Sequence, residues 1–485
     1  MVIFLGVLSF LYFSTSCKKD EQITTDPSYR LSFSTDSVTF DTIFSTMGSV
    51  SKGLMVYNRN PKAVKISRIA LAGGKQSPYR INIDGQSTTQ VHDIELMGND
   101  SMYIFVKVQI DPQNDNLPFV VHDSIVFETN GNRQDVDLVS WGQDAHFIIA
   151  DQHISGLPPF AYIAREGEAI HWPNDKPYVI VGYGVVDSAA SLHIDAGCRI
   201  HFYNNSGLWI YKSASLQVQG TADNKVVFQG VRTKGMYENL PAQWDRIWIN
   251  ESDDNTVIEH AVIKNGLIGL QLETLHQGMS NQLRINNTEI RNMSGWGIFS
   301  RYYNIEGNNL LVANAGSALL NLTGGGEYQF KNSTFANFWR YTNREDPSLH
   351  LSDYFSRYDA EGNQTVYLHD MNAYFGDCIL YGGAQEEILI DKYPDDASTS
   401  VEYLFDYCLL KTQQTTDENM QHSLFNENPL FVDYFAGDYH IDSLSPARQK
   451  GIPMGNPLDL DGIERGDTPD LGAYQWQAVD DRVRF

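Results

Sequence analysis

The chain has 485 residues, 42% hydrophobic and 20% charged, with 38 glycines and 17 prolines. That is long enough for two or three domains with real cores, and it excludes global disorder and collagen-like repetition. Thirty-five basic against 60 acidic side chains leave a net charge of −25, a field that repels polyanions and argues against nucleic acid as a partner. Aromatic residues at 12%, with short apolar triplets separated by Asn and Gly, favour β-structure over helix bundles.

The first element is an apolar run over residues 2–13, followed by Ser14, Thr15, Ser16 and Cys17 and then by Lys18, Lys19, Asp20 and Glu21. Twelve helical residues span about 18 Å against a hydrocarbon core of about 30 Å, which suits a signal-peptide core and not a membrane span. Small residues directly before Cys17 resemble a lipobox. The resemblance implies a signal peptide over 1–16, acylation (palmitate or a related chain) at Cys17 and a tether over 17–27. The charged cluster after Cys17 resembles the export signal of Bacteroidota-type surface lipoproteins, which implies a lipid-anchored protein on the outer membrane, facing the cell exterior. The other cysteines, Cys198, Cys378 and Cys408, are odd in number and scattered, so no disulfide framework is expected. Each sits in an apolar strand context, where a buried thiol behaves as a small hydrophobe. No CxxC or His/Cys cluster suggests zinc.

Residues 28–146 carry seven predicted strands, at 37–40, 53–57, 64–71, 79–83, 101–110, 124–128 and 134–140, with Gly, Pro, Asn and Asp between them. This pattern reads as an antiparallel β-sandwich. Asn130-Gly131 predicts a type I′ hairpin, because both of its central positions need φ > 0. The stretch from Asp123 to Ala145 resembles the end of an immunoglobulin-like module of bacterial surface proteins, which implies a spacer or docking role.

From 147 to 425 the chain repeats. HAVIKN, NTEIRN, NLLVAN, NSTFAN and NAYFGD close at Asn265, Asn292, Asn314, Asn337 and Asp377, with spacings of 27, 22, 23 and 40. The first three spacings suit one coil of a right-handed parallel β-helix. In such a stack equivalent side chains lie about 4.8 Å apart, so Ile263, Ile290, Val312 and Phe335 should form an interior stripe. Asn265, Asn292, Asn314 and Asn337 should form a structural ladder at a bend, where Asn tolerates the left-handed conformation. The segments 191–230 and 243–247, with a closing segment over 426–485, resemble right-handed parallel β-helix lipoproteins. That resemblance implies an all-β chain, with an N-terminal β-sandwich, a β-helix of the pectin lyase-like type and a C-terminal cap, and it is nearly silent on activity.

Insertions between coils are where chemistry is expected. Counted on the closing positions, one insertion of 17 residues carries Asp353, Tyr354, Tyr358 and Asp359, and the next, of 11, carries Glu386, Glu387 and Tyr393. Tyrosines among carboxylates suit a sugar ring, and the carboxylates make calcium a candidate cofactor. Successive insertions should leave from one side of the solenoid and wall a single groove. Enzyme patterns fit poorly. Asp253-Asp254 occurs without the Gly-His-Gly and Arg-Ile-Lys of polygalacturonase-like glycosidases. Lys264, Arg291 and Glu289 are the candidates for a pectate-lyase-like base and its partners. The expected function is glycan or cell-surface ligand binding in polysaccharide handling or adhesion, and the alternative is a polysaccharide lyase or glycoside hydrolase acting in a groove of the helix.

Overall fold

The computed structural model describes residues 22–478, apart from 45–48, 50, 84, 110–118, 254, 275–280, 360 and 395–397. The leader, Cys17, the start of the tether, Asp254, Asp395 and Asp396 lie outside the described residues. The chain forms two compact units, residues 1–144 and 145–485, and among the described residues no α-helix occurs.

In the first unit, alternating apolar residues build two five-stranded sheets. One runs in the order Ser32–Phe33, Lys52–Asn58, Asp100–Val108, Tyr79–Ile83, Gln86–Thr88; the other runs Ser37–Phe44, Asn132–Gln143, Phe119–Thr129, Val64–Leu71, Gln90–Leu96. Leu54, Val56, Ile104 and Val106 of the first sheet meet Ile66, Ile69, Ile125 and Leu138 of the second in one buried core, which makes the unit a β-sandwich. Asn130 and Gly131 take φ of 51° and 77° and place Thr129 opposite Asn132, as the turn chemistry predicts. Three strands escaped the sequence reading, 32–33, 86–88 and 90–96. All three are outermost in their sheets, and two of them have only two or three residues, so no clear period of two marks them.

The second unit is a parallel β-helix. Its coils cross three parallel sheets, of eleven, nine and ten strands in coil order, beginning at His146–Ile149, Phe160–Ala164 and Ala169–Trp172. The stack therefore starts at His146, one residue before the predicted boundary, and its last sheet-one strand is Leu424–Phe425. The predicted stripe forms: Ile263 pairs with Ile290, Ile290 with Val312 and Val312 with Phe335, all of them buried. On the third sheet Phe330, Phe375 and Phe405 stack with ring centroids 5.3 and 4.8 Å apart. Cys198, Cys378 and Cys408 are buried. Burying a large apolar side chain stabilises by about 1.5–3 kcal/mol, and self-stacking repeats that gain on every coil.

Two polar ladders mark the bends. Asn265, Asn292 and Asn314, between sheets one and two, have φ of 69°, 58° and 57°. Their amides link from coil to coil, Asn314 Nδ2 to Asn292 Oδ1 and Asn292 Nδ2 to Asn265 Oδ1, both at 3.4 Å. The expected fifth member, Asp377, belongs elsewhere. It stands at the bend between sheets three and one, in register with Asn287, Asn309 and Asn332, and all four have φ between 47° and 52°. The position equivalent to Asn337 is Gly382. The spacing of 40 therefore joined two different corners, and the true step from Asn332 to Asp377 is 45 residues.

The C-terminal segment does more than close the end of the stack, the role expected of a cap. After Leu424–Phe425 it runs back along the outer face of sheet one. There Tyr439, Leu460, Ala473 and Tyr474 cover Leu311, Ala313 and Ala336, and Ile441, Ala447 and Leu471 cover Ile379 and Leu409. Arg465 Nη2 donates to Asn309 Oδ1, Gly472 O and Ala473 O at 3.1, 3.0 and 3.1 Å. Asp377 accepts the Ile452 amide at 3.0 Å. Burial beneath this cover pushes the Asp377 carboxyl up to about 7, against the opposing pull of the Ile452 amide and Arg465.

A carboxyl raised on folding binds its proton more tightly in the native state, so stability falls as pH rises from about 4, the unfolded value, to about 7. An asparagine in place of Asp377 would match its neighbours in the ladder and carry no charge. Asp377→Asn is expected to remove this pH dependence and to raise stability near pH 8 by about 1–3 kcal/mol. Urea unfolding at several pH values checks it; a variant less stable than the parent near pH 8 would contradict the assignment.

Candidate functional site

The surplus residues of the large coil divide between two corners. Residues 338–348 lie between sheets one and two. After Leu349–Ser352 the chain leaves the corner between sheets two and three as an antiparallel hairpin, Tyr354–Tyr358 with Gln364–Leu368. One coil on, residues 392–394 and 398–400 stand at the same corner. These two excursions meet: Asp353 accepts the Tyr393 amide and the Thr399 hydroxyl, both at 2.8 Å, and Asp370 accepts the Ser400 amide at 2.7 Å. The two hydrogen bonds from Ser400 hold the Asp370 carboxyl below the usual range. From the preceding coil, Gly324-Gly325-Gly326 gives the hairpin room. All three glycines have positive φ, and a Cβ on them would strike Phe355, the His369 carbonyl and the Tyr303 carbonyl in turn.

Under this corner opens a cleft of about 600 Å³. Its floor is the outer edge of sheet three, where one column of side chains rises coil by coil. Glu327 N donates to Asn304 Oδ1 at 2.9 Å, Glu327 pairs with Asn372 and Asn372 with Glu402. Glu327, Asn372 and Glu402 are exposed. Tyr302 and His369 stack at 3.5 Å between centroids beside the column. His369 Nδ1 lies 2.9 Å from the Gly324 carbonyl, and burial holds its imidazole below the ordinary value. Ser398, Thr399 and Ser400 form the far wall. The cleft thus offers hydroxyl, amide and carboxylate groups at coil spacing beside an aromatic pair.

None of the insertion residues singled out from sequence lines the cleft: Asp353, Tyr354, Tyr358, Asp359 and Tyr393 belong to this corner, whereas Glu386 and Glu387 stand at the corner between sheets one and two. Asp353 is buried beneath Tyr393 and Thr399, and Tyr354 donates to Asp391 Oδ2 at 2.8 Å and meets Tyr393 edge-on at 5.3 Å. Tyr358 is exposed on the hairpin. Asp359 caps the hairpin turn through Asn363 N at 2.7 Å. Glu386 accepts from Thr412 and the Gln413 amide at 3.1 and 2.9 Å. Glu387 is fully buried and accepts from Arg344 Nη1 and Nη2, Ser348 Oγ and the Ala384 amide at 2.8, 2.6, 2.6 and 2.8 Å. Asp353 and Glu387 tie loops of neighbouring coils together, Asp359 serves its own turn, and these carboxylates do not converge on one point. The insertions do meet, as expected, yet the groove between them and sheet three is lined by other residues.

Lys264 and Arg291 do pair on neighbouring coils, with Glu289 held by Lys225 at 2.9 Å and by Arg291 at 3.7 Å. They stand on sheet one, near the C-terminal segment, opposite the corner that carries the cleft. Burial, together with the Arg291 charge, pulls the Lys264 ammonium below its ordinary value. Beside Arg291 lies a second, narrower crevice walled by Phe338, Trp339, Tyr341, Tyr434 and Phe435.

A family described as the right-handed β-helix region matches residues 178–335, and no protein of curated function matches the chain. Among solved structures, the catalytic unit of a thermostable GH87 α-1,3-glucanase from Streptomyces thermodiastaticus aligns over 77% of this chain and 87% of its own, at 11% identity and TM-score 0.25. A PapD-like domain of human CEP192 aligns over 25% of this chain and 91% of its own, at 12% identity and TM-score 0.17. The VesB protease of Vibrio cholerae aligns over 24% and 32%, at 10% identity and TM-score 0.17. Likenesses this slight carry no argument about chemistry.

Removing the Glu387 carboxylate would leave the Arg344 guanidinium, only 7% exposed, without its partner. Glu387→Ala is therefore expected to cost about 3–5 kcal/mol of stability, read from the urea midpoint; a cost below about 1 kcal/mol would show that the pair does not hold residues 338–348 in place. The chain is an all-β protein in which a β-sandwich precedes a right-handed parallel β-helix.

Proposed function

We propose that the protein binds a neutral or amino-sugar glycan in the cleft beneath the corner between sheets two and three. The observation that carries this reading is the column Asn304, Glu327, Asn372 and Glu402, one polar side chain per coil along an open cleft. Its coil spacing of about 4.8 Å is comparable to the advance per residue of an extended polysaccharide, so successive coils can address successive sugars. Carboxylates accept hydroxyl protons, amides donate and accept, and the Tyr302–His369 pair offers an apolar face to a ring. Glu327, Glu402 and Asp370 repel polyanionic chains, which is why uronate polymers fit less well.

Purified protein should bind one or more neutral or amino-sugar polysaccharides in a panel. An Asn372→Ala, Glu402→Ala double variant should bind at least tenfold more weakly at unchanged melting temperature. Unchanged binding in the variant would overturn the assignment of the cleft.

A second reading, glycoside hydrolysis with inversion, is favoured by one observation. Glu327 and Glu402 stand two coils apart, about 9.6 Å along the stack, near the upper end of the separation that inverting carboxylate pairs use. Release of reducing ends from the bound polysaccharide, abolished by Glu327→Gln, would establish it. Elimination chemistry is disfavoured because Lys264 and Arg291, the cations in the pattern of a lyase base, stand on sheet one, away from the cleft.

The same proposal places the protein at the outer membrane as a surface lipoprotein of the Bacteroidota type, with the immunoglobulin-like sandwich as spacer. The support is the apolar run and the small residues before Cys17, since stable anchoring needs more than one acyl chain. Cys17→Ala should move the protein from membrane to soluble fractions; a variant that stays membrane-bound would refute the anchor.

A further inference from the structure

At the opening coils of the helix, far along the chain from the cleft, the third sheet brings together three side chains that the sequence shows only as scattered residues. His193 and Asp195 are two apart on the strand Ser191–Asp195 and so share its outer face. His171, on Ala169–Trp172, lies in register beside His193, and the two rings stand 5.2 Å apart. His171 Nε2 is 2.8 Å and His193 Nε2 3.3 Å from the same Asp195 oxygen, Oδ1. Among the described residues this is the one group of three His, Cys, Asp or Glu side chains whose ligand atoms all lie within 4.8 Å of one another.

We infer that His171, His193 and Asp195 form a zinc-class divalent metal site that ties the first coil of sheet three to the second. A tetrahedral ion with bonds of about 2.0–2.1 Å keeps its ligand atoms about 3.3–3.5 Å apart; His193 Nε2 already stands at that separation from Asp195 Oδ1, while the exposed His171 ring must draw back from it by about 0.5 Å. The next coil supplies an orienting partner: Gln217 Oε1 lies 3.4 Å from His193 Nδ1. A proton on Nδ1 leaves the Nε2 lone pair directed at the site, the second-sphere arrangement usual for a ligating imidazole. Two imidazoles and one carboxylate select zinc over calcium or magnesium, which prefer oxygen donors throughout. The fourth position opens to water, since the His171 side chain is 58% exposed. Mechanically, Ala169–Trp172 is the outermost strand of its sheet and has a sheet partner on one side only. A metal bond to the next coil restrains that free end, where a solenoid otherwise frays.

The test uses untagged protein dialysed against chelator, titrated with zinc sulfate by calorimetry and followed in thermal melts. One zinc ion per chain should bind and raise the melting temperature. His171→Ala and Asp195→Asn should each weaken binding at least tenfold and remove the rise, while the metal-free melting temperature stays unchanged because the side chains are partly exposed. A tenfold excess of calcium should not compete. Absence of zinc binding at micromolar concentration, or binding of the same affinity in both variants, would overturn the site.

Discussion

Parallel pairing in register, in which each strand lies against its own equivalent one coil away, is the constraint from which the rest of the β-helix follows. It sets Ile263 on Ile290, Ile290 on Val312 and Val312 on Phe335, so an apolar residue at one position demands an apolar residue at the same position in the next coil. The same rule governs the bends. A left-handed residue at Asn287 requires one at Asn309 and Asn332, and asparagine satisfies both the backbone and the amide of the coil before it. Where the ladder carries an acid in place of an amide, at Asp377, the covering C-terminal segment supplies an amide hydrogen bond and a nearby guanidinium, and burial still holds the carboxyl high. Chain inserted at one corner must leave and return without disturbing this register, so insertions on consecutive coils emerge side by side.

That geometry decides which surfaces remain for function. Sheet one is covered over several coils by the C-terminal segment, whose Tyr439, Ala473 and Tyr474 bury residues that would otherwise face water. Sheet three keeps an open outer edge, and the insertions at the corner between sheets two and three raise a wall beside it. The acidic and amide side chains of the cleft belong to strands, on the rigid part of the fold. The tyrosines and carboxylates of the insertions shape the wall and hold it together.

Much of the architecture was readable in the residues themselves. The hairpin at Asn130-Gly131, the apolar stripe and the Asn265, Asn292, Asn314 bend each follow from a local rule, whether φ sign, period or spacing. The phase of the repeat was not readable at NAYFGD, because an apolar residue flanked by Asn or Asp recurs on more than one sheet of a coil. Assigning Asp377 to the wrong corner hid both the second asparagine ladder and the column through Asn372, and with it the cleft. The structural duty of Asp353 and Glu387 was equally hidden. Carboxylates beside tyrosines look alike whether they face a ligand or, as here, accept an amide and a guanidinium from the loop of a neighbouring coil. His171, His193 and Asp195 come together only through the pairing of two coils, which no motif spacing records.

We propose that a glycan lies along the edge of sheet three under the paired insertions. Amide hydrogen exchange, measured with and without a saturating polysaccharide identified by the panel, tests it most directly. Slowed exchange is expected at residues 302, 304, 326–327, 368–372, 398–400 and 402, which line the cleft, with the strands of sheet one unchanged. Slowed exchange confined to the first unit, or to the crevice around Arg291 and Tyr434, would contradict it.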